Sequence, residues 1–403
     1  MSGVTPASAE LARLWNLDPQ RIFLNHGSFG ACPAAVLAEQ TRLRARLERD
    51  PVGFMALELE PLLDGARREL GAFLGADPDD LAFLHNTTTA VTAVLRSIDW
   101  RGGDEILITS HTYNAVRNAA VEIAGRGGAT VTVAQIPFPG TTAENVVESV
   151  LAGVTARTRL ALVDHVTSPT ALVLPIERLV RELTARGVEV FVDGAHAPGM
   201  VPLDVERLGA AYYAGNCHKW LCAPKGAAFL WVERSRQKGF EPPVVSHGSN
   251  STRTDRSRFR LELDWLGTDD PTAFLCVPAA IRVLASAVEG GWPAILSRNR
   301  ALALAGRAIL CEALGVAAPC DEELIGSMAS VPLPDASGAP STHPWGWDPL
   351  QAALRAEDGI DGLVQKWPVF PKRLVRISAQ LYNEPAHYRT LAAALTRRVR
   401  VSA

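Results

Sequence analysis

No stretch of the chain stays apolar for the length that a membrane span needs. The amino-terminal residues also lack the basic start and apolar core of a secretory signal. Charge of one sign is scarce: the formal net charge is −3 over 403 residues, so nothing points to a nucleic acid or an anionic membrane surface as partner. Cysteine is limited to six residues (Cys32, Cys217, Cys222, Cys276, Cys311 and Cys320), none at metal-ligand spacing. They read as reduced thiols, which places the expected compartment in the cytoplasm and gives no metal site. Internal repeats and low-complexity segments are absent. What remains is ordinary for a globular protein: 47% hydrophobic and 21% charged residues. The length allows two domains in one subunit.

The pattern that is present alternates strand and helix. Short β-branched runs occur at 81–84, 105–109, 131–134, 160–164, 188–192 and 225–232, and helical periodicity fills the intervals, as at 90–98, 144–153 and 176–186. That rhythm predicts an α/β fold with a mainly parallel sheet flanked by helices. Beyond residue 232 the rhythm changes. Segments 246–254 and 256–258 read as loops, helices are expected at 278–288 and 295–314, and a smaller α/β unit begins near Gly326. Pro334 to Pro344 reads as a surface loop. The expected division is an arm over 1–20, a large domain over 21–290 and a small domain over 291–403.

Two segments carry the chemistry. Phe191-Val192-Asp193-Gly194-Ala195-His196 ends a strand in an acid, with a histidine three residues on; Asn216-Cys217-His218-Lys219-Trp220 sets a lysine between two strands. Ligands of open α/β sheets bind at the carboxyl ends of the strands. An acid and a lysine brought together there suit pyridoxal phosphate, with the lysine as Schiff base and the acid on the pyridine nitrogen.

Asp193-Gly194-Ala195-His196 followed by His218-Lys219-Trp220 resembles the class V, cysteine-desulfurase-like branch of the fold-type I pyridoxal-phosphate enzymes. Leu24-Asn25-His26-Gly27-Ser28-Phe29-Gly30, Asn216-x-His218-Lys219-Trp220 and Gly267-Thr268-Asp269-Asp270-Pro271 resemble the isopenicillin N epimerase-like group within it. The similarity runs from about residue 20 to the carboxyl terminus.

The resemblance implies a fold-type I scaffold with a seven-stranded sheet, and a role for each residue. Lys219 carries the cofactor, Asp193 holds its ring nitrogen and His196 its phenolic oxygen. Thr87, Thr88, Asn216 and His218 are expected at the phosphate, joined by Thr268 from a neighbouring subunit, so that a homodimer shares its sites. Hydroxyls at a helix start suit a phosphate, but the same Thr run reads equally as a simple cap. In the desulfurases a histidine stacks on the ring. Alignment on Asn114 puts Thr112 there, leaving Tyr113 to supply either a stacking face or a hydroxyl.

Arg376, within Leu374 to Asn383, resembles the arginine that clamps the substrate carboxylate, a task that suits a guanidinium fork. Asn25 and His26 are expected on a substrate-facing loop, where two glycines permit close approach to a ligand.

The reaction is less determined. Desulfurases place a nucleophilic cysteine shortly before the carboxylate arginine; residues 358–370 contain none, which disfavours persulfide chemistry. The lead reading is an amino-acid epimerase, with His26, Tyr113 and His165 as candidates for the second acid or base. A C–S lyase of the ergothioneine-pathway type needs only one base and is the alternative. An aminotransferase comes third, and a silent binding protein that kept the fold is the reading from outside enzymology.

Overall fold

The strand runs fold as their periodicity requires. In β5 (Thr158–Asp164) Leu160 and Leu162 point to one face of a sheet, and Ala161 and Val163 to the other. In β6 (Glu189–Asp193) Phe191 takes the first face, and Val190 and Val192 the second. Apolar residues on both faces demand cover on both. Helices Thr87–Arg96 and Asn114–Arg126 cover one face through Val91, Val94, Val116 and Ala120. Helices Ala143–Ala152 and Ile176–Thr184 cover the other through Val147, Val150, Leu179 and Leu183. Each such side chain taken fully out of water contributes about 1.5–3 kcal/mol.

The computed structural model describes residues 8–337, 339–343 and 346–401. The remaining strands are β1 (Ile22–Phe23), β2 (Leu81–Leu84), β3 (Glu105–Thr109), β4 (Thr130–Ala134), β7 (Tyr212–Asn216), β8 (Ala228–Val232), β9 (Met328–Leu333), β10 (Ile360–Asp361), β11 (Leu363–Lys366) and β12 (Arg373–Ser378). The central seven-stranded sheet has the order β2-β8-β7-β6-β5-β3-β4. It is parallel from β4 to β7, and only β8 runs against its neighbours. The carboxyl ends of β3, β5, β6 and β7 therefore open on one side.

A smaller C-terminal α/β unit holds the antiparallel sheet β11-β12-β9, packed on the 24-residue helix Gly291–Leu314 and on Pro385–Val401. β1 pairs with β10 rather than with the central sheet. Trp15 and Leu11 of the arm pack near Tyr382 and Leu381, which precede the helix Pro385–Val401.

Two expectations change. Residues 256–258 are not a free loop: Ser257 caps the helix Arg258–Leu263 by accepting the Arg260 N–H, and Arg256 pairs with Asp64 at 2.7 Å. The Thr run after β2 starts its helix earlier than the apolar period suggests. Asn86 is the cap and accepts the Thr89 N–H, so Thr87 and Thr88 lie in the first turn. Of the Pro334–Pro344 stretch, residues 338 and 344 lie outside the described residues; its described part is irregular and mostly exposed.

Candidate active site

β6 delivers Asp193 to the open side, where it is buried and its Oδ1 accepts the Ala195 N–H at 2.9 Å. The tight turn after it returns His196 beneath the segment that follows β7. There the Lys219 amine lies 3.1 Å from His196 Nε2, and Trp220 Nε1 donates to His196 Nδ1 at 3.4 Å. With Nδ1 accepting, a neutral ring carries its hydrogen on Nε2 and donates it to an uncharged amine.

The electrostatics agree. Burial, and after it the nearby Arg376 charge, lower the Lys219 pKa to about 7 against the opposing pull of Asp193. Burial, then the Lys219 charge, pushes His196 well below its usual value. Asp193 is pushed up by burial, against the pull of the Ala195 N–H and of Lys219.

Thr87 and Asn216 meet: Asn216 Oδ1 accepts the Thr87 N–H at 3.0 Å, tying the helix start to the lysine-bearing strand. The Thr87 hydroxyl is buried and has no partner. Thr88 is exposed at the next position. His218 turns its Nδ1 to the Ala227 carbonyl at 2.8 Å, and burial lowers its pKa to about 4. Tyr113 precedes the helix that follows β3; it is 47% exposed and near enough to Arg376 to act on it electrostatically. Thr268 is exposed, beside a Gly267 that has nothing packed on it.

Arg376 is 1% exposed and is held by neutral groups alone. It donates to the Ser168 carbonyl at 2.6 Å, the Ser168 hydroxyl at 3.2 Å, the Ser28 hydroxyl at 3.0 Å and Asn25 Oδ1 at 3.4 Å. Its Nε has no partner, and burial lowers its pKa to about 10. Asn25 Oδ1 thus accepts from the arginine and, at 2.7 Å, from the Ser28 hydroxyl.

His26 faces inward instead. Nδ1 sits 2.8 Å from the Tyr382 hydroxyl and Nε2 3.1 Å from the Lys219 carbonyl, and burial drives its pKa to about 3. It braces the lysine loop from behind. The glycine at 30 has a related reason. Its φ is +69°, and a Cβ there would run into the main chain of His218 and Lys219. The close approach it permits is to the lysine loop. His165 is likewise buried, its Nδ1 2.9 Å from the Tyr213 hydroxyl.

Residues that sequence reasoning passed over are Ser28 and Ser168, which hold Arg376, Tyr382, which holds His26, and Asp164, which ends β5 beside Asp193. Asp164 carried a signal: it is a second acid at a parallel strand end. The serines carried none beyond their place in the two loops.

This donor set fits pyridoxal phosphate. A buried amine of lowered pKa stands near a buried carboxylate, and an orphaned hydroxyl at a helix start offers a donor to a phosphate. The Arg376 guanidinium lies near enough to the amine for its charge to act on it. The fold and site define a class: enzymes built on the fold-type I scaffold.

The aminotransferase class-V family profile matches residues 35–316, and the chain belongs to that family. It is 35% identical to isopenicillin N epimerase of Amycolatopsis lactamdurans, over 97% of this chain and 98% of that protein. It is 30% identical to L-cysteine desulfhydrase of Arabidopsis thaliana, over 94% and 87% respectively. Among solved structures, a cysteine desulfurase of Thermococcus onnurineus NA1 superposes with a TM-score of 0.80 at 19% identity, covering 99% of each chain. A C-DES mutant with glycine covalently linked to its PLP cofactor superposes with a TM-score of 0.76 at 21% identity, covering 97% of this chain and 99% of that one.

Proposed function

We propose that this chain is a pyridoxal-phosphate enzyme that moves the Cα proton of an α-amino acid, with epimerisation as the lead reading. The observation that supports it best is the Lys219 amine, buried between Asp193, His196 and Arg376 with its pKa near 7. An amine that is neutral near pH 7 is a competent base, and one proton later a competent acid. When bound, pyridoxal phosphate supplies an electron sink that acidifies the Cα–H bond.

The chain's residues do the rest. Arg376 orients the substrate carboxylate through its guanidinium fork. Asp193, ionised, keeps a proton on the ring nitrogen. The Thr87 hydroxyl and the Thr88 N–H at its helix start would hold the phosphate. Lys219 takes the Cα proton on one face. His26 has both ring nitrogens committed, which leaves Tyr113 and His165 for the other face. We assign that role to Tyr113, half exposed and near Arg376.

The same observation on His26 favours a second reading. With one committed base at Cα, β-elimination is complete without a partner on the opposite face, so a C–S lyase is the alternative. A persulfide-forming desulfurase is disfavoured, since all six cysteines are buried and none precedes Arg376 on its loop.

Incubation with candidate amino acids in deuterium oxide separates the two. Deuterium at Cα of a recovered D-amino acid supports the epimerase; pyruvate with a thiol or sulfide product supports the lyase. No exchange and no product with any α-amino acid overturns both.

The proposal includes a closed two-fold dimer in which Thr268 serves the partner's phosphate. Its exposure in the single chain is consistent with that use. Mixing Lys219→Ala subunits with subunits bearing a bulky residue at 268 then restores activity, because a heterodimer has one site free of both lesions; absence of complementation removes the shared site. The proposed compartment is the cytoplasm; among the described residues no helix is long and apolar enough to cross a membrane. The division at residues 20 and 290 is kept as part of the same proposal.

A further inference from the structure

Asp164 ends β5 as Asp193 ends β6, and the two are register partners in a parallel pair. In-register neighbours of adjacent strands lie about 4.8 Å apart at their backbones and point to the same face. Both acids are buried, Asp164 at 2% exposure and Asp193 at 4%. Their partners differ. Asp193 has the Ala195 N–H on Oδ1 and the Lys219 amine nearby. Asp164 Oδ2 is buried without any partner. Two carboxylates in one dry site do not both ionise.

We infer that Asp164 and Asp193 hold a single negative charge between them, that the proton resides on Asp164, and that Asp164 is a positioning residue reserving the charge for Asp193.

The reasoning is one of unequal solvation. An anion is placed where a cation already is, and here the Lys219 amine lies on the Asp193 side. Burial and the Asp193 charge drive Asp164 well above the usual carboxyl range, outweighing the Thr112 hydroxyl and the Tyr113 N–H on its other side. The remaining titratable neighbours act on the Asp193 side: the Tyr213 phenol, held neutral by burial and by Asp193, and His165, neutral and bonded to that phenol. A neutral acid beside Asp193 removes the like-charge repulsion that would otherwise protonate it, and an anionic Asp193 is what a ring N–H requires. This inference rests on the cofactor reading above, but its test does not depend on turnover.

The experiment is infrared spectroscopy of the full-length protein at mildly alkaline pH, on wild type, Asp164→Asn and Asp193→Asn. The expected result is a protonated-carboxyl C=O band in the wild type that shifts in deuterium oxide. It disappears in Asp164→Asn and persists in Asp193→Asn. Asp264, whose burial raises its pKa only to about 6, does not contribute under these conditions. A band that is absent from the wild type, or that is lost in Asp193→Asn and kept in Asp164→Asn, overturns the assignment.

If Asp164→Asn fails to fold, Asp164→Leu carries the infrared test: loss of the band supports the assignment, and its persistence overturns it. A second readout is pyridoxal-phosphate affinity. Asp164→Leu, which has no polar group, weakens it, and Asp164→Asn, a neutral donor of the same shape, restores it. If Asn is as damaging as Leu, Asp164 carries charge and the inference fails. Failure of the cofactor reading looks different, since then no variant or wild type binds pyridoxal phosphate while the infrared result stands.

Discussion

Two of the places that bury arginines among the described residues partner them in opposite ways. Arg67 and Arg260, with the more accessible Arg256, sit among Asp64, Asp79 and Asp264. Arg260 alone reaches Asp64 at 2.5 Å, Asp79 at 2.7 Å and Asp264 at 3.0 Å, and Arg67 reaches Asp264 at 2.5 Å. Arg376 is as deeply buried, yet among the described residues no carboxylate lies within ion-pair reach of it. A second cationic group, Lys219, lies near enough for each charge to oppose the other. A buried charge without a counter-ion is costly. Where carboxylates answer each guanidinium, the group is a fastener between Leu59–Leu74 and Arg258–Leu263. Where hydroxyls, an amide and a carbonyl only steady it, the proposed substrate carboxylate would supply the anion.

That contrast is broken most sharply at Lys219. Lys219→Ala lowers turnover on the order of 10⁴-fold and abolishes the borohydride-reducible link to the cofactor, while the protein keeps its fold. An adduct on Lys225 in reduced wild-type protein removes the assignment. The same position carries a pH signature in the cofactor-free protein. The folded-state pKa of Lys219 lies below its unfolded value, so wild-type stability increases as pH rises from about 7 towards 10. Lys219→Met lacks that rise. The melting-temperature advantage of the variant is therefore largest below pH 7 and closes on going alkaline. A gap that widens with rising pH contradicts a buried, depressed amine.

Next in size is the fastener itself. Arg260→Leu leaves Asp264 and Asp64 short of a cation and costs about 3–5 kcal/mol of stability. Denaturant titration reads the loss, and kcat/KM per folded molecule stays at the wild-type level. A matching loss of activity would make the cluster part of the site.

Arg376→Lys keeps the charge and loses the fork, which weakens substrate binding by about 1.5–3 kcal/mol with stability little changed. An unchanged KM with reduced kcat counts against a carboxylate clamp. The smallest effect is at the brace behind the lysine. Tyr382→Phe removes one hydrogen bond from His26, worth about 0.5–1.5 kcal/mol; thermal unfolding measures it, and a change of substrate preference would return His26 to the binding surface.

Much of this was legible in one dimension. The alternation within residues 160–164 and 189–193 defines strands buried on both faces, because side chains of an extended chain point in opposite directions by turns. Asp193 at a strand end and Lys219 between two strands follow from that reading directly. The Thr-rich turn after β2 was readable as a helix start, and only its cap, Asn86, was missed.

The fates of His26, Arg376 and Asp164 were not legible. The sequence offers the same loop whether His26 faces a substrate or the back of the lysine segment. The direction is decided by Tyr382, 356 residues away, and by the main chain of Lys219. Arg376 is assigned by Ser28 and Ser168, from two loops that meet only when the smaller unit closes on the central sheet. Asp164 acquires its neighbour because β5 pairs in parallel with β6, the next strand, in a register that sets Asp164 against Asp193, and register is fixed by packing across the sheet. Local pattern reports on a residue's own backbone and its near neighbours. Partner and charge state depend on which distant side chains share its desolvated space, and only the closed tertiary structure supplies them.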